Sequence, residues 1–156
     1  MNDGKFMRIA IMKAREGIRH GQAPFGACIV RKGKVLVSSH NAVFGHTDIT
    51  AHAEINALHS ACRKLGKIDL SDCVIYSTTE PCPMCFTACH WAKIPKVFYG
   101  TKIADAAKYG FSEWPISNRK MELLGKSKIR LVPGFMRKEC LELFKEWTKR
   151  KGARAY

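Results

Sequence analysis

Two short motifs, separated by 27 residues, constrain this chain more than any other part of its sequence. The first is His52-Ala53-Glu54, and the second runs from Pro81 to Cys85 with cysteines at positions 82 and 85. Each motif follows a loop or strand and opens a segment with helical periodicity. Both motifs are therefore predicted at the first turns of helices, where chemically active side chains can be presented together.

The second motif has the spacing of a metal site. Cys82 and Cys85 stand at positions i and i+3, so both sulfurs lie on one face of a helix. In a first turn the positive end of the helix dipole favours thiolates, which are the form that binds zinc. Pro83 suits that turn because its missing N–H needs no partner there. With His52 as a nitrogen ligand, the motifs predict one zinc ion per chain.

Three protein ligands leave one tetrahedral position open, which is typical of catalytic rather than structural zinc. Water in that position has its pKa lowered to about 7 and supplies a nucleophile near neutral pH. Glu54 is too close in sequence to His52 to face the same way on a helix, so it is predicted to move protons rather than to ligate. A closed structural site with Cys89 as the fourth ligand remains an alternative.

The composition narrows the class of protein. The 156 residues and the 46% hydrophobic content suit one domain spanning 1–156. Seven cysteines, an odd number, without a secretory signal argue against a disulfide framework, and no apolar run approaches the roughly 20 residues of a membrane span. We expect a cytoplasmic protein with no membrane segment.

The net charge of +14 permits a nucleic-acid partner such as tRNA, but the basic residues are scattered along the sequence, which also fits a solvated surface.

The periodicity predicts a mixed sheet covered by helices. The order of elements is αββαβαβαβα, in which a hairpin precedes alternating strands and helices. Thr50 is a candidate cap for the second helix, and Gly66 is predicted to end it. Helices are predicted over 5–19, 50–65, 82–93, 103–109 and 136–151, and strands over 26–30, 35–39, 73–77, 96–99 and 129–132.

The pair His-x-Glu and Pro-Cys-x-x-Cys resembles the signature of the cytidine deaminase superfamily of zinc-dependent nucleobase deaminases. The resemblance extends over nearly the whole chain. It implies an α/β, three-layer α-β-α fold with a five-stranded mixed sheet flanked by helices, and hydrolytic removal of an amino group from a base. Members of the superfamily are usually dimers or larger, so the resemblance also implies a homodimer.

Two branches of the superfamily are similar to different parts of the chain. Pro24 to Ala27, Trp91 to Lys93 and the terminal tyrosine resemble bacterial guanine deaminases, whereas the segment from Val132 to Lys151 is more similar to tRNA adenosine deaminases. Ser112-Glu113 stands where the guanine branch usually has Asp-Asp. The expected substrate is a purine base or nucleoside, with guanine, converted to xanthine and ammonia, as the leading candidate and tRNA adenosine-to-inosine deamination as the alternative. A zinc-stabilised nucleic-acid-binding module without turnover is a third possibility of another class.

The resemblance also implies substrate contacts. Phe25 would stack on the base, Asn41 would hydrogen-bond to it, and Glu113 would stand where an aspartate contacts the purine. Ala53 and Tyr156 complete the expected substrate-binding set. The usual locations of these residue types in proteins leave other roles open. Phe25 could belong to the core, Asn41 could cap a turn, Glu113 could lie on the surface, and Tyr156 could be part of a frayed chain end.

The C-terminal segment 136–156 has its own expectation. Its helix is amphipathic and should pack on the domain. The resemblance implies that the tail after this helix closes over the active site. Four of the remaining histidines have no comparable neighbours in sequence and are expected at the surface or in packing: His40, His46, His59 and His90.

Overall fold

A five-stranded mixed sheet organises the chain, whose computed structural model describes residues 2–156. The strands are β1 (Gly26–Arg31), β2 (Lys34–His40), β3 (Cys73–Thr79), β4 (Lys96–Thr101) and β5 (Arg130–Val132). The helices are α1 (Asp3–Arg19), α2 (Val43–His46), α3 (Ala53–Leu65), α4 (Pro83–Trp91), α5 (Ile103–Ala107), α6 (Asn118–Gly125) and α7 (Arg137–Thr148).

The strand order is β2-β1-β3-β4-β5. Strand β1 runs antiparallel to β2 and β3, while β3, β4 and β5 are parallel. The turn between β1 and β2 contains Lys32 (φ 49°) and Gly33 (φ 72°), and positive φ at both central residues matches the twist of a tight hairpin. The predicted hairpin and the mixed five-stranded sheet are both confirmed.

Helices form the outer layers. Helix α1 contacts α7 and the sheet, and α3 contacts α4 and the sheet, which gives the predicted three-layer α-β-α arrangement. Gly26 permits the close approach of α1, because a Cβ at this position would lie 2.1 Å from the carbonyl oxygen of Ala10. Within residues 2–156, no helix combines the length and the apolar character that crossing a membrane requires.

Several predicted boundaries were wrong. Helix α3 begins at Ala53 and has His52 at its cap position, so the prediction of Thr50 as the cap fails. The backbone nitrogen and hydroxyl of Thr50 instead donate to Asp48 Oδ1, at 2.8 and 2.7 Å, in the preceding turn. Gly66 does end the helix, in the left-handed region at φ 62°. Two short helices, α2 and α6, have no counterpart in the sequence prediction.

The sheet positions both motifs. Strand β3 ends at Thr79 and leads within three residues to Cys82, which caps α4. Its parallel neighbour β4 ends beside it, since Thr79 pairs with Thr101. The crevice beyond the carboxyl ends of parallel strands is the usual place for a ligand in an α/β sheet.

Candidate metal centre and active site

Three side chains converge where α3 and α4 begin. The Nδ1 atom of His52 lies 3.6 Å from Sγ of Cys82 and 3.5 Å from Sγ of Cys85. The donor atoms of these residues all lie within 4.8 Å of one another. His52 and Cys82 occupy cap positions, but neither side chain makes a capping hydrogen bond. Their donor atoms therefore stay available for a metal ion.

The proton affinities within the cluster differ sharply. The hydrogen bond from Cys85, with help from His52, lowers the pKa of Cys82 to about 4. The same contact with Cys82, together with burial, raises the pKa of Cys85 well above its usual value. For His52, burial alone lowers the pKa, but the hydrogen bond to Cys82 contributes to a net rise. A ready thiolate beside an imidazole and a second sulfur is a donor set that suits zinc.

Cys89 does not close this site. It lies outside the group of converging donors and is fully buried in the main hydrophobic cluster. Burial raises the pKa of its thiol, which disfavours the thiolate that zinc binds. Within the described residues 2–156, three protein donors converge, and a zinc ion held by them would have a fourth position free for water, as catalytic zinc requires.

Glu54 lies beside the cluster in the first turn of α3. Its residue is only 6% exposed, and burial raises the pKa of its carboxyl. The hydroxyl of Ser77, on β3, donates to Oε1 of Glu54 over 2.7 Å and fixes its orientation. Glu54 and Glu113 line one small inner pocket; the other residues lining it are Phe25, His52, Thr79, Glu80 and Cys82. A buried carboxyl held in one orientation can accept a proton and release it again.

Asn41 and Tyr156 are in contact with each other, and Tyr156 lines the outer pocket beside the cluster. The Asn41 side chain is fully buried, and its Nδ2 donates to the Tyr156 hydroxyl over 2.5 Å. Its Oδ1 accepts from the backbone nitrogen of Val43, which ties it to the start of α2. The Tyr156 ring lies 5.8 Å from the His52 ring and 5.6 Å from the Phe111 ring, between centroids. The structure thus brings the last residue of the chain to the metal cluster.

The other three residues expected to contact the substrate differ in how much of the side chain is available to a ligand. Phe25 is 7% exposed and packs edge-on against Phe111 at 4.8 Å, so most of its surface is core although it borders the inner pocket. Glu113 has a buried oxygen, Oε2, with no hydrogen-bond partner within residues 2–156, and burial raises its pKa to about 8. Ala53 is fully buried and its side chain belongs to the main core.

Sequence reasoning missed several residues that shape the site. Ser77 orients Glu54, and it begins the run of three buried hydroxyl residues, Ser77 to Thr79, at the end of β3, which was a detectable signal. The outer pocket, of about 800 Å³, opens beside the cluster and is walled mainly by apolar side chains. Two of them are exposed tryptophans, Trp91 at the end of α4 and Trp114 in the segment between α5 and α6, and the sequence pattern does not indicate that they line one pocket.

The comparisons with known proteins agree with this geometry. Residues 1–101 match the cytidine and deoxycytidylate deaminase zinc-binding region. The guanine deaminase of Bacillus subtilis is 43% identical over 114 residues, which cover 72% of this chain and 73% of that protein. A tRNA-specific adenosine deaminase of the same organism is 32% identical over 155 residues, covering 97% and 94%. A solved guanine deaminase structure from Nitrosomonas europaea superposes with a TM-score of 0.84 at 27% identity, covering 93% of this chain and 84% of that one.

The fold and the open cluster of two sulfurs and one imidazole define a zinc-dependent hydrolytic deaminase. The chain belongs to the cytidine and deoxycytidylate deaminase family, whose zinc-binding region matches well over half of its length. The chain is therefore an enzyme, and the third possibility raised by the sequence, a zinc-stabilised nucleic-acid-binding module without turnover, is excluded.

Proposed function

We propose that the enzyme deaminates a free purine base, with guanine as its substrate. The observation that carries this proposal is the position of Tyr156, whose ring lies against His52 while its hydroxyl accepts a hydrogen bond from Asn41. A tail in this position forms one wall of the outer pocket, which opens beside the metal cluster. A tail that closed further over a bound base would suit a small, flat substrate that can be enclosed, and it would obstruct a base that remains attached to a folded nucleic acid.

The size of the inner pocket supports a moving tail. The inner pocket has a free volume of about 10 Å³, roughly the room for one water molecule. A purine needs more room than this, and the tail, whose Tyr156 lines the adjacent outer pocket, would move to admit the base and then close over it. Closure of this kind excludes water from the reaction and completes the binding site.

The polar groups around the pocket complement guanine. The amide of Asn41 can both donate and accept, and guanine presents acceptors at O6 and N7 and donors at N1 and at its amino group. The carboxyl of Glu113 has an oxygen without a partner in residues 2–156, and it can take a hydrogen bond from a bound base. Phe25 presents the edge of an aromatic ring to the same space. Together these groups would hold the purine by its face and its edges.

The chemistry follows from the position of Glu54. Zinc bound by His52, Cys82 and Cys85 would supply activation of water at its open position. Glu54 removes a proton from the attacking water and returns it to the departing amino group. A bond forms between the water oxygen and C2 of guanine, the bond from C2 to the amino nitrogen breaks, and guanine and water become xanthine and ammonia. Ser77 keeps the Glu54 carboxylate aimed during both transfers.

Measured release of ammonia tests the proposal. The zinc-loaded enzyme is offered guanine, guanosine, cytosine, cytidine, adenosine and a tRNA anticodon stem-loop at matched concentrations. We expect the highest kcat/KM for guanine. Glu54→Gln with its zinc retained serves as the inactive control. Turnover of the stem-loop without turnover of guanine would overturn the proposal.

A second candidate, deamination of adenosine in tRNA, is favoured by two observations. The net charge of +14 attracts polyanions, and Trp91 and Trp114 are 79% and 72% exposed beside the outer pocket. Stacking of an unpaired base on an aromatic ring contributes about 1–3 kcal/mol to binding. The same panel of substrates separates this candidate from the first.

A further inference from the structure

A second group of possible metal donors lies away from the active-site cluster. Glu16 lies in the last turn of α1 and His20, four residues on, is the C-cap residue of that helix, so their side chains lie on the same side of the helix end. His40, the last residue of β2, lies against this face. One donor atom from each of these three residues lies within 4.8 Å of the other two, the same separation that the zinc cluster satisfies.

The orientation of the His40 ring suits a metal ligand. Its Nδ1 atom lies 2.6 Å from the carbonyl oxygen of Asn41. A carbonyl only accepts, so Nδ1 carries the ring proton in neutral His40 and Nε2 keeps its lone pair. Nε2 faces Glu16, whose Oε1 is 4.0 Å away. A histidine that ligates a metal typically donates its other N–H to a carbonyl or carboxylate, and His40 already makes this second contact.

Helix α1 has room for this ring because residue 17 is glycine. A Cβ at Gly17 would lie 3.0 Å from both Cβ and Cγ of His40 and 3.1 Å from its Nδ1. Glycine within a helix reduces stability by roughly 0.5–1 kcal/mol relative to alanine. Here it lets the imidazole lie close to the helix between Glu16 and His20. The ring centroids of His20 and His40 are 6.0 Å apart.

We propose that Glu16, His20 and His40 form a second metal site, which binds a divalent transition ion such as Zn²⁺ or Ni²⁺ and links α1 to the end of β2. Two imidazoles and one carboxylate are a donor set that zinc uses in proteins, and imidazole favours this class of ion over Mg²⁺ and Ca²⁺. The side chains of Glu16 and His40 are 35% and 21% exposed, so an ion can reach the site from solvent.

Lys13 competes for the same carboxylate. Its Nζ lies 2.8 and 3.1 Å from the two oxygens of Glu16. The ion must displace this ammonium group or share the carboxylate with it. The Lys13 side chain is partly exposed, and such a surface pair contributes only about 0.2–1 kcal/mol. Removal of Lys13 should therefore tighten metal binding by up to about fivefold.

The test uses untagged enzyme loaded with only one equivalent of Zn²⁺ per chain, dialysed to equilibrium against Ni²⁺ and then subjected to elemental analysis. We expect one nickel per chain in addition to the one zinc, no comparable uptake of Mg²⁺ or Ca²⁺, and a higher Tm with nickel because the ion binds the native state. His20→Ala and His40→Gln should each weaken nickel binding by about tenfold or more. Mutation of a residue that only hydrogen-bonds to a metal ligand already lowers metal affinity by about 10- to 100-fold, and loss of the ligand itself should lower it at least as much. Lys13→Met should bind nickel more tightly.

Two controls make the result specific. His90→Ala removes an exposed histidine on α4, outside the proposed ligand set, and should leave nickel uptake unchanged. Cys82→Ala should lose zinc but keep the nickel site. The proposal is overturned if the enzyme takes up no metal beyond its zinc, if His20→Ala and His40→Gln bind nickel as the unmodified chain does, or if His90→Ala loses it.

Discussion

The side-chain nitrogen of Asn41 donates a 2.5 Å hydrogen bond to the hydroxyl of Tyr156, 115 residues further along the chain. This bond connects the end of β2 to the C-terminus directly above the metal cluster. Because Asn41 is fully buried, the hydroxyl satisfies a polar group that would otherwise have to bind water or substrate. A base that binds through Asn41 must take the place of this contact.

Tyr156→Phe tests the contact with the smallest change. It removes the hydroxyl and leaves the ring packing on His52 and Phe111. We expect the zinc content to be unchanged and the kcat/KM for guanine to change by about three- to tenfold, since one hydrogen bond contributes about 0.5–1.5 kcal/mol. Tyr109→Phe, at a ring that stacks on Phe144, is the matched control and should show no such change.

Removal of residues 152–156 tests the tail as a cover. The truncated enzyme should keep its zinc and lose at least about tenfold in kcat/KM, equivalent to roughly 1.4 kcal/mol of transition-state binding. The tail also packs through Ala153, Ala155 and Tyr156, so we expect a small fall in Tm. Full activity in the truncated enzyme would contradict the proposed cover and weaken the case for a free base.

Glu54→Gln tests proton transfer. The substitution keeps the shape of the side chain but removes its ability to take up a proton, so turnover should fall by about 10²–10⁴-fold. Zinc content and Tm should remain close to those of the unmodified enzyme. Ser77→Ala should have a smaller effect, because it removes only the hydroxyl that orients Glu54. Near-normal turnover by Glu54→Gln would remove this residue from the mechanism.

The sequence predicted the centre of the site better than its surroundings. His52, Cys82 and Cys85 are local signals, since their spacing and helix-start positions reflect the geometry that a metal requires. The sheet could be predicted from the sequence equally well, because alternating strands and helices of this length can be arranged in only a few ways. The contact between Asn41 and Tyr156 was not predicted: the resemblance implied only that each residue lies near the substrate, and no periodic pattern connects residues so far apart.

The missed elements have physical explanations. Helix α2 has only four residues, Val43–His46, too few to show helical periodicity. Helix α6 begins at Asn118, after Ser117, whose hydroxyl accepts from the backbone nitrogen of Lys120. Its leucines, Leu123 and Leu124, are exposed, so they do not form a stripe that packs on the core. The group of Glu16, His20 and His40 joins a helix to a strand through tertiary packing, and neither element carries a complete metal motif in its own sequence.

Removal of single cysteines tests the open metal site. Cys82→Ala should lose zinc, because it leaves only two of the three donors, whereas Cys89→Ala should retain one zinc per chain. Cys89→Ala should still lower stability by about 1 kcal/mol, since it leaves a small cavity in the core. Elemental analysis of both purified variants gives the answer. Loss of zinc from the Cys89 variant would indicate a fourth ligand and a closed site.

The ion pair between Asp105 and Arg137 predicts a pH dependence of stability. Two hydrogen bonds, at 2.5 and 2.9 Å, join α5 to α7, and the Asp105 side chain is only 8% exposed. The bonds from Arg137 lower the pKa of Asp105. A carboxyl with a lowered folded-state pKa stabilises the fold above its unfolded value, near 3.9, and this contribution is lost as pH falls through the folded value.

Arg137→Met should therefore lower the free energy of unfolding by about 1–2 kcal/mol at pH 7, with Arg137 partly screened by solvent. The difference from the unmodified enzyme should shrink as the pH falls below about 4. Arg119→Met breaks an exposed pair with Glu122 and should change stability by less than about 0.5 kcal/mol. Urea unfolding at several pH values measures both. A difference for Arg137→Met that stays constant down to acid pH would contradict this role of Asp105.

The salt dependence of KM separates the two candidate substrates. Guanine is neutral, so its KM should change little between low and moderate salt, even though the chain carries a net charge of +14. A tRNA substrate would behave differently, because each phosphate contact releases counterions and affinity falls steeply as salt rises. Steady-state ammonia release at about 50 and 200 mM salt distinguishes these outcomes. If an anticodon stem-loop is deaminated and its KM rises about tenfold or more over this range, the basic surface serves substrate binding and the proposal of a free base is wrong.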